Sequence, residues 1–282
     1  MEKIYISAND LLLDSFRLAE KIVDSGYRPD FIIGTSGYSF KDWVGPFYPP
    51  GTTPKEMFSR YVESFRALEL NFSYYRMPTA KMLASFAERS PEGFLFWVKA
   101  NREITHEGKA ESVEPFAEAL PRLAEAGKLA GVLLQFPQSF HRTVDARRHL
   151  AEVIERFGAT PLAVEFRHAS WRARSVNEGL RERGVTLAVP DVPEIPSLYR
   201  SPPAATTRTG YLRLHSRDAD KWYARDADRY DYLYSPEELR RIAAGWLNLP
   251  EPADRVFTFF NNCHGGQAAE NAEAFERIVA EF

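Results

Sequence analysis

The sequence predicts an α/β protein folded as a closed parallel barrel of eight strands, the (β/α)8 arrangement. Three observations carry this. Eight short apolar runs alternate with amphipathic stretches along most of the chain, the pattern of strand–helix crossovers and a parallel sheet. Eight is a number at which such a sheet closes around an interior filled by side chains. Several of the runs also turn polar at every second residue near their C-terminal ends, where barrels of this kind build their sites. The competing arrangement is an open doubly wound sheet. No GxGxxG follows the first strand and no Walker loop occurs, so nothing supports the nucleotide site such a sheet would carry.

In order, residues 1–30 read as an N-terminal helical extension, with Asn9 or Asp10 as cap and Gly26 as stop. The TIM barrel then occupies 31–282, in keeping with the roughly 250 residues such a barrel takes. Its expected strands are FIIGT (31–35), ALELNF (67–72), FLFWVK (94–99), GVLLQF (131–136), LAVEF (162–166), VTLAV (185–189), YLRLH (211–215) and VFTFFN (256–261). The first helix starts at Thr53-Pro54, a cap followed by proline in the first turn, and carries an apolar stripe. Further helices are expected over 79–89, 113–127, 144–157, 173–183, 235–247 and 267–280, while the proline-rich stretch 190–209 reads as a loop.

Composition narrows the function. A formal net charge of -3 gives no global basic field, so nucleic acid is not a favoured partner, although a local patch stays open. The single cysteine, Cys263, allows no intrachain disulfide and suits a reducing compartment. The opening MEKIYISANDLLLDSF carries early acids and does not read as a signal peptide. No run reaches the roughly 18 apolar residues of a membrane span. The expectation is a cytoplasmic protein with no membrane partner; the sequence is silent on oligomeric state.

The strand ends hold the chemistry. Alternation places Glu69 and Asn71 on one face of the second strand, Glu165 and Arg167 on one face of the fifth, and Arg213 and His215 on one face of the seventh. Lys99, Gln135 and Asn261 end their own strands, and Asp191 follows the sixth. The outward face of a barrel strand packs on helices, so these polar residues are expected to point into the mouth.

The candidate catalytic set is Glu165, Glu69, Lys99, His215 and Asp191. Glu165 is expected to act as general acid–base group, its pKa raised in a partly desolvated mouth. Arg167 and Arg213 would clamp an anionic group, with Gln135, Asn71, Asn261 and Asn262 orienting it. A plain ion-pair network is the structural counterpart of each of these roles, including a Lys99–Glu69 bridge. His106, Tyr38 and Trp171, in loops past strand ends, would complete the substrate site. The long charged segment 216–234 is a lid candidate.

At these positions the chain resembles the YecE-like family, the domain of unknown function seventy-two. The carrying segments are GTSGYSFKDWVGPFYP (34–49), ELNFSYYRMP (69–78), FWVKANREITH (96–106), LLQFPQSF (133–140), AVEFRHASW (163–171), RLHSR (213–217), YDYLYSPEEL (230–239) and FFNN (259–262). The resemblance implies a TIM barrel and brings no established reaction. The chain departs from the family's usual pattern at Ser216, where glycine is common, and at Phe72-Ser73-Tyr74.

The function expected is an enzyme of hydrolase or lyase type, using no metal or other cofactor, on a small polar anionic molecule. Three alternatives stay open. A divalent-metal isomerase or phosphodiesterase would draw ligands from Glu69, Glu165, Asp191 and His215. A carbohydrate hydrolase would use Glu69 and Glu165 as its two acids. A non-catalytic module would bind a small ligand or nucleic acid.

Overall fold

A computed structural model describes residues 29–223, 229–249 and 253–282. The eight strands close into a barrel in sequence order, every neighbouring pair parallel. They are β1 (Asp30–Ser36), β2 (Ala67–Leu70), β3 (Leu95–Lys99), β4 (Leu129–Gln135), β5 (Leu162–Glu165), β6 (Thr186–Asp191), β7 (Thr209–Leu214) and β8 (Arg255–Phe260). This is the (β/α)8 TIM-barrel fold. The helix expected within 1–30 lies outside the described residues.

The outer helices follow the apolar stripes. They are α1 (Met57–Ser64), α2 (Ala80–Arg89), α3 (Val113–Ala117), α4 (Pro121–Glu125), α5 (Val144–Phe157), α6 (Arg174–Glu182), α7 (Pro236–Leu247) and α8 (Gln267–Ala280). Three of them start at side chains that accept orphan backbone N–H groups. Thr79 accepts from Met82, Thr143 from Ala146, and Ser235 forms a reciprocal capping box with Glu238. The helix expected over 113–127 is two short helices, because Pro121 has no N–H to continue the first and instead opens the second. No helix occupies 192–208. None of the described helices is long and apolar enough to cross a membrane.

Two apolar layers result from the alternation. A large cluster fills the space between sheet and helices. A second, smaller cluster, including Ile32, Ala67, Trp97, Leu133, Ala163, Ala188, Tyr211, Phe257 and Phe259, plugs the barrel itself. Trp97 packs edge-on to Tyr211 and Phe257, which closes the interior beneath the polar strand ends.

β2 ends earlier than the expected 67–72. Asn71 has right-handed helical angles and starts a single turn, Phe72–Tyr75. The Ser73 hydroxyl donates to the Leu70 carbonyl (2.9 Å) and lies 2.6 Å from the Lys99 carbonyl, pinning this turn to β3.

The tightest backbone approach is at Gly34, where a Cβ would sit 2.1 Å from the Ala67 carbonyl oxygen. Gly34→Ala is therefore expected to separate β1 from β2 and destabilise the protein by about 1–3 kcal/mol or more. Urea denaturation measures this, and a loss below a few tenths of a kcal/mol would contradict the packing described.

Candidate active site

The C-terminal ends of β2, β5 and β7 meet in a buried chain of charges. Glu69, Glu165, Arg213 and His215 are all 0–1% exposed, which leaves protein groups as their partners. Arg213 donates to Glu69 through Nε (2.9 Å) and Nη2 (2.6 Å), and to Glu165 through Nη1 (2.5 Å). Ser36 lies near the same guanidinium, and the Tyr211 hydroxyl donates to Glu69 at 2.8 Å. The second oxygen of Glu165 accepts from Arg167 Nε. Arg167, with 15% of its side chain exposed, is the member of the chain that reaches the mouth.

This arrangement changes the role expected of Glu165. Burial alone would raise its pKa, but the Arg167 and Arg213 guanidiniums outweigh burial and hold it well below the usual carboxylate range. It stays ionised and has no proton to donate. Arg213 is likewise saturated by two carboxylates and cannot clamp a substrate. Both residues position others. The pair of acids needed by a carbohydrate hydrolase is absent for the same reason: Glu69 and Glu165 share one guanidinium.

His215 sits beside the chain. Its Nε2 is 3.2 Å from Arg167 Nη2 and its Nδ1 is 2.8 Å from the Asn261 side-chain amide. The Asn261 Nδ2 amide donates to Nδ1, so the proton of the neutral ring sits on Nε2, which lies 3.6 Å from Glu165 Oε1. Burial, then Arg167, pull the pKa of His215 down to about 3, so the ring is neutral.

Lys99 is the outlier. No ion pair joins it to Glu69, whose carboxylate is taken by Arg213 and Tyr211. Its Nζ instead lies over the Tyr74 ring, 4.6 Å from the centroid. Burial and the Arg213 charge bring its pKa down to about 7. His106 stands next to it at the rim, edge-on to Tyr74, and desolvation followed by the Lys99 charge lower it to about 4.

Other expected site residues lie elsewhere. Asp191 faces away from the mouth, because Ala188 fixes the inward phase of β6 and Asp191 has the opposite parity. It accepts from Arg217 at 2.8 and 2.7 Å and from the Tyr234 hydroxyl at 2.9 Å. Trp171 is 2% exposed, stacked on Phe166 and Phe140, and donates to the Phe140 carbonyl, so it supports a loop and offers no face to a ligand. Asn262 is buried and donates to Tyr232 and Asn271, tying the loop before α7 to α8. Gln135 donates to the Phe136 carbonyl. Asn71 and Tyr38 line a cavity at the edge of the mouth.

The metal alternative loses its ligand set with Asp191 turned aside and both glutamates bound to Arg213. Among the described residues no three His, Cys, Asp or Glu side chains are grouped to hold an ion. Ser36 and Tyr211 were missed by sequence reasoning. Tyr211 was legible, since it lies two residues before Arg213 on the same strand face. In the 216–234 segment, residues 224–228 lie outside the described residues, so the lid expectation falls partly on them. Trp222 before them is buried on Val192 and Leu198. Ser216, at the family's usual glycine, accepts from the Asp218 N–H.

Fold and site together define a TIM-barrel protein with a charged, histidine-bearing mouth. The family model described as "Protein of unknown function DUF72" matches residues 32–281, and the chain belongs to that family. The chain is 29% identical over 270 residues to UPF0759 protein YunF of Bacillus subtilis (strain 168), covering 88% of this chain and 94% of that one. A DUF72 family protein of Thermotoga maritima MSB8 superposes with a TM-score of 0.81 at 36% identity, over 89% of this chain and 99% of the other. One of Enterococcus faecalis V583 gives 0.78 at 26% identity, over 89% and 95%.

Arg213→Met leaves two buried carboxylates without their shared cation. The expected loss is about 3–5 kcal/mol at pH 8. The orphaned carboxylates would have raised pKa values and take up protons as pH falls, so the penalty should shrink at pH 5. Denaturation at the two pH values checks both; a loss under about 1 kcal/mol at pH 8 would contradict the network.

Proposed function

We propose that the mouth binds a small anionic molecule against Arg167 and Lys99 and transforms it by proton transfer at Lys99, in a hydrolase- or lyase-type reaction. The observation that carries this is the Lys99 amine, held near neutrality without a carboxylate partner beside an anchored guanidinium. An amine with a pKa near ambient pH is suited to both accepting and donating a proton. Arg167 supplies a fixed charge for the substrate's anionic group. Glu165 holds Arg167 in place, His215 packs beside both, and Asn261 donates to His215. The chemistry is carried by the chain's own side chains and calls on no metal or organic cofactor.

Sulfate, whose charge is constant over the range, tests the anion site. As pH rises from 6 to 9, Lys99 loses its proton through about 7. Sulfate affinity should therefore fall about tenfold, roughly 1.4 kcal/mol. Lys99→Met should bind weakly with little pH dependence, and Arg167→Met should bind weakly throughout; calorimetry reads all three. Proton transfer is tested in D2O with a panel of small carboxylic acids, by following exchange of the α-hydrogens by NMR. Exchange by the wild type and its loss in Lys99→Met is the expected result. Sulfate binding without exchange in any member of the panel would overturn the catalytic role and favour a binding module.

A further inference from the structure

A cavity of about 660 Å³ opens between the loop after β1, the turn after β2 and α2. Its volume lies within the range of ligand sites, roughly 300–1,000 Å³. Its walls are apolar and mostly aromatic: Tyr38, Phe40, Phe72, Met82 and Phe86. Phe72 and Phe86 stack at 5.7 Å, and Tyr38 meets Phe86 edge-on at 6.1 Å. The cavity reaches Glu69 and Ser36, two of the side chains around the Arg213 guanidinium, so it adjoins the charged mouth.

Two polar side-chain groups along it have no partner among the described residues. The Asn71 Oδ1 is buried and accepts no hydrogen bond. A buried carbonyl left unpaired is costly, and a donor on a bound molecule would recover that cost. Arg76, exposed and lining the cavity, makes no ion pair with any described carboxylate. It adds positive charge on the side facing solvent.

We infer that this cavity is the specificity pocket of the mouth and takes an aromatic ring carrying a hydrogen-bond donor, so that the substrate is a hydroxylated or amino-substituted aryl acid. The ring would lie against Phe72, Phe86 and Tyr38, where offset and edge-on contacts to aromatic side chains are favourable. The donor would meet Asn71, and the acid group would stay in the field of Lys99, Arg167 and Arg76. The inference rests on the anion-binding reading of the mouth for its acid group, and on the cavity alone for its ring.

The test compares phenylacetate with its three ring-hydroxylated isomers by calorimetry, with sulfate as the probe of the mouth. At least one hydroxylated isomer should bind about tenfold or more tightly than phenylacetate. In Asn71→Ala that difference should fall to about twofold or less. Ser85→Trp, placed on α2 at the cavity wall, should lose the aryl acids and leave sulfate affinity unchanged. Equal affinity for phenylacetate and all three isomers in the wild type would overturn the pocket, as would undiminished aryl-acid binding in Ser85→Trp. Aryl-acid binding sensitive to both substitutions, in a protein that ignores sulfate, would uphold the pocket and remove the anion site proposed for the mouth.

Discussion

Arg213 is a cation placed where water does not reach, and the mouth of the barrel is organised around the two carboxylates this demands. An ion of this kind costs several kcal/mol to desolvate even after relaxation, and only close, multiply hydrogen-bonded partners offset the cost. Glu69 supplies two acceptors and Glu165 a third, each from a different strand. The guanidinium thereby ties β2, β5 and β7 together directly above the apolar plug of Trp97, Tyr211 and Phe257. It also occupies both acids in ion pairs and helps hold Glu165 ionised. With two carboxylates facing one guanidinium, one negative charge remains, and Arg167 answers it from the side nearer solvent.

The charges in this chain cancel, and that neutrality shapes everything beside it. A histidine buried beside a balanced but cation-fronted network gains nothing by protonation, so His215 stays neutral, accepting from Asn261 at Nδ1. Lys99 meets the same surroundings with no acid left over. Its options are an aromatic face, which Tyr74 provides, or loss of the proton. The lowered pKa of the amine thus follows first from its burial and then from the Arg213 charge, which outweigh the glutamates already paired to guanidiniums.

The barrel was legible because two-residue alternation survives at the strand ends. Glu69, Glu165 and Arg213 could be placed on inward faces from the sequence because each is flanked by apolar residues of opposite parity, and His215 follows Arg213 at the same parity. Asp191 could not. The preceding VTLAV run has its one polar residue, Thr186, at its start and is apolar on both faces thereafter, so no polar alternation at the strand end marks its phase. Asn261 and Asn262 are adjacent and therefore point opposite ways, and only the register of β8 decides which enters the mouth. Trp171 and Asn71 depend on contacts distant in sequence, Phe140 for one and the bond from Ser73 to β3 for the other. The protonation states were the least legible feature. Whether Glu165 is an acid or a counter-ion turns on where one arginine from another strand directs its three donors.

That dependence separates the groups locked in ion pairs from those free to exchange a proton. A group that transfers protons must have a pKa near ambient pH and a path to the substrate. Glu165 has neither, being buried and held ionised by two guanidiniums. His215 is buried and neutral at every physiological pH, with both ring nitrogens engaged. His106 reaches the rim, yet its pKa of about 4 makes it a poor acid and a weak base near neutrality. Lys99 satisfies both conditions, and it lies on the strand next to β2, whose end opens into the aromatic cavity. The same geometry that strips the glutamates of chemical freedom therefore concentrates it in one amine, bordered on one side by fixed positive charge and on the other by apolar surface.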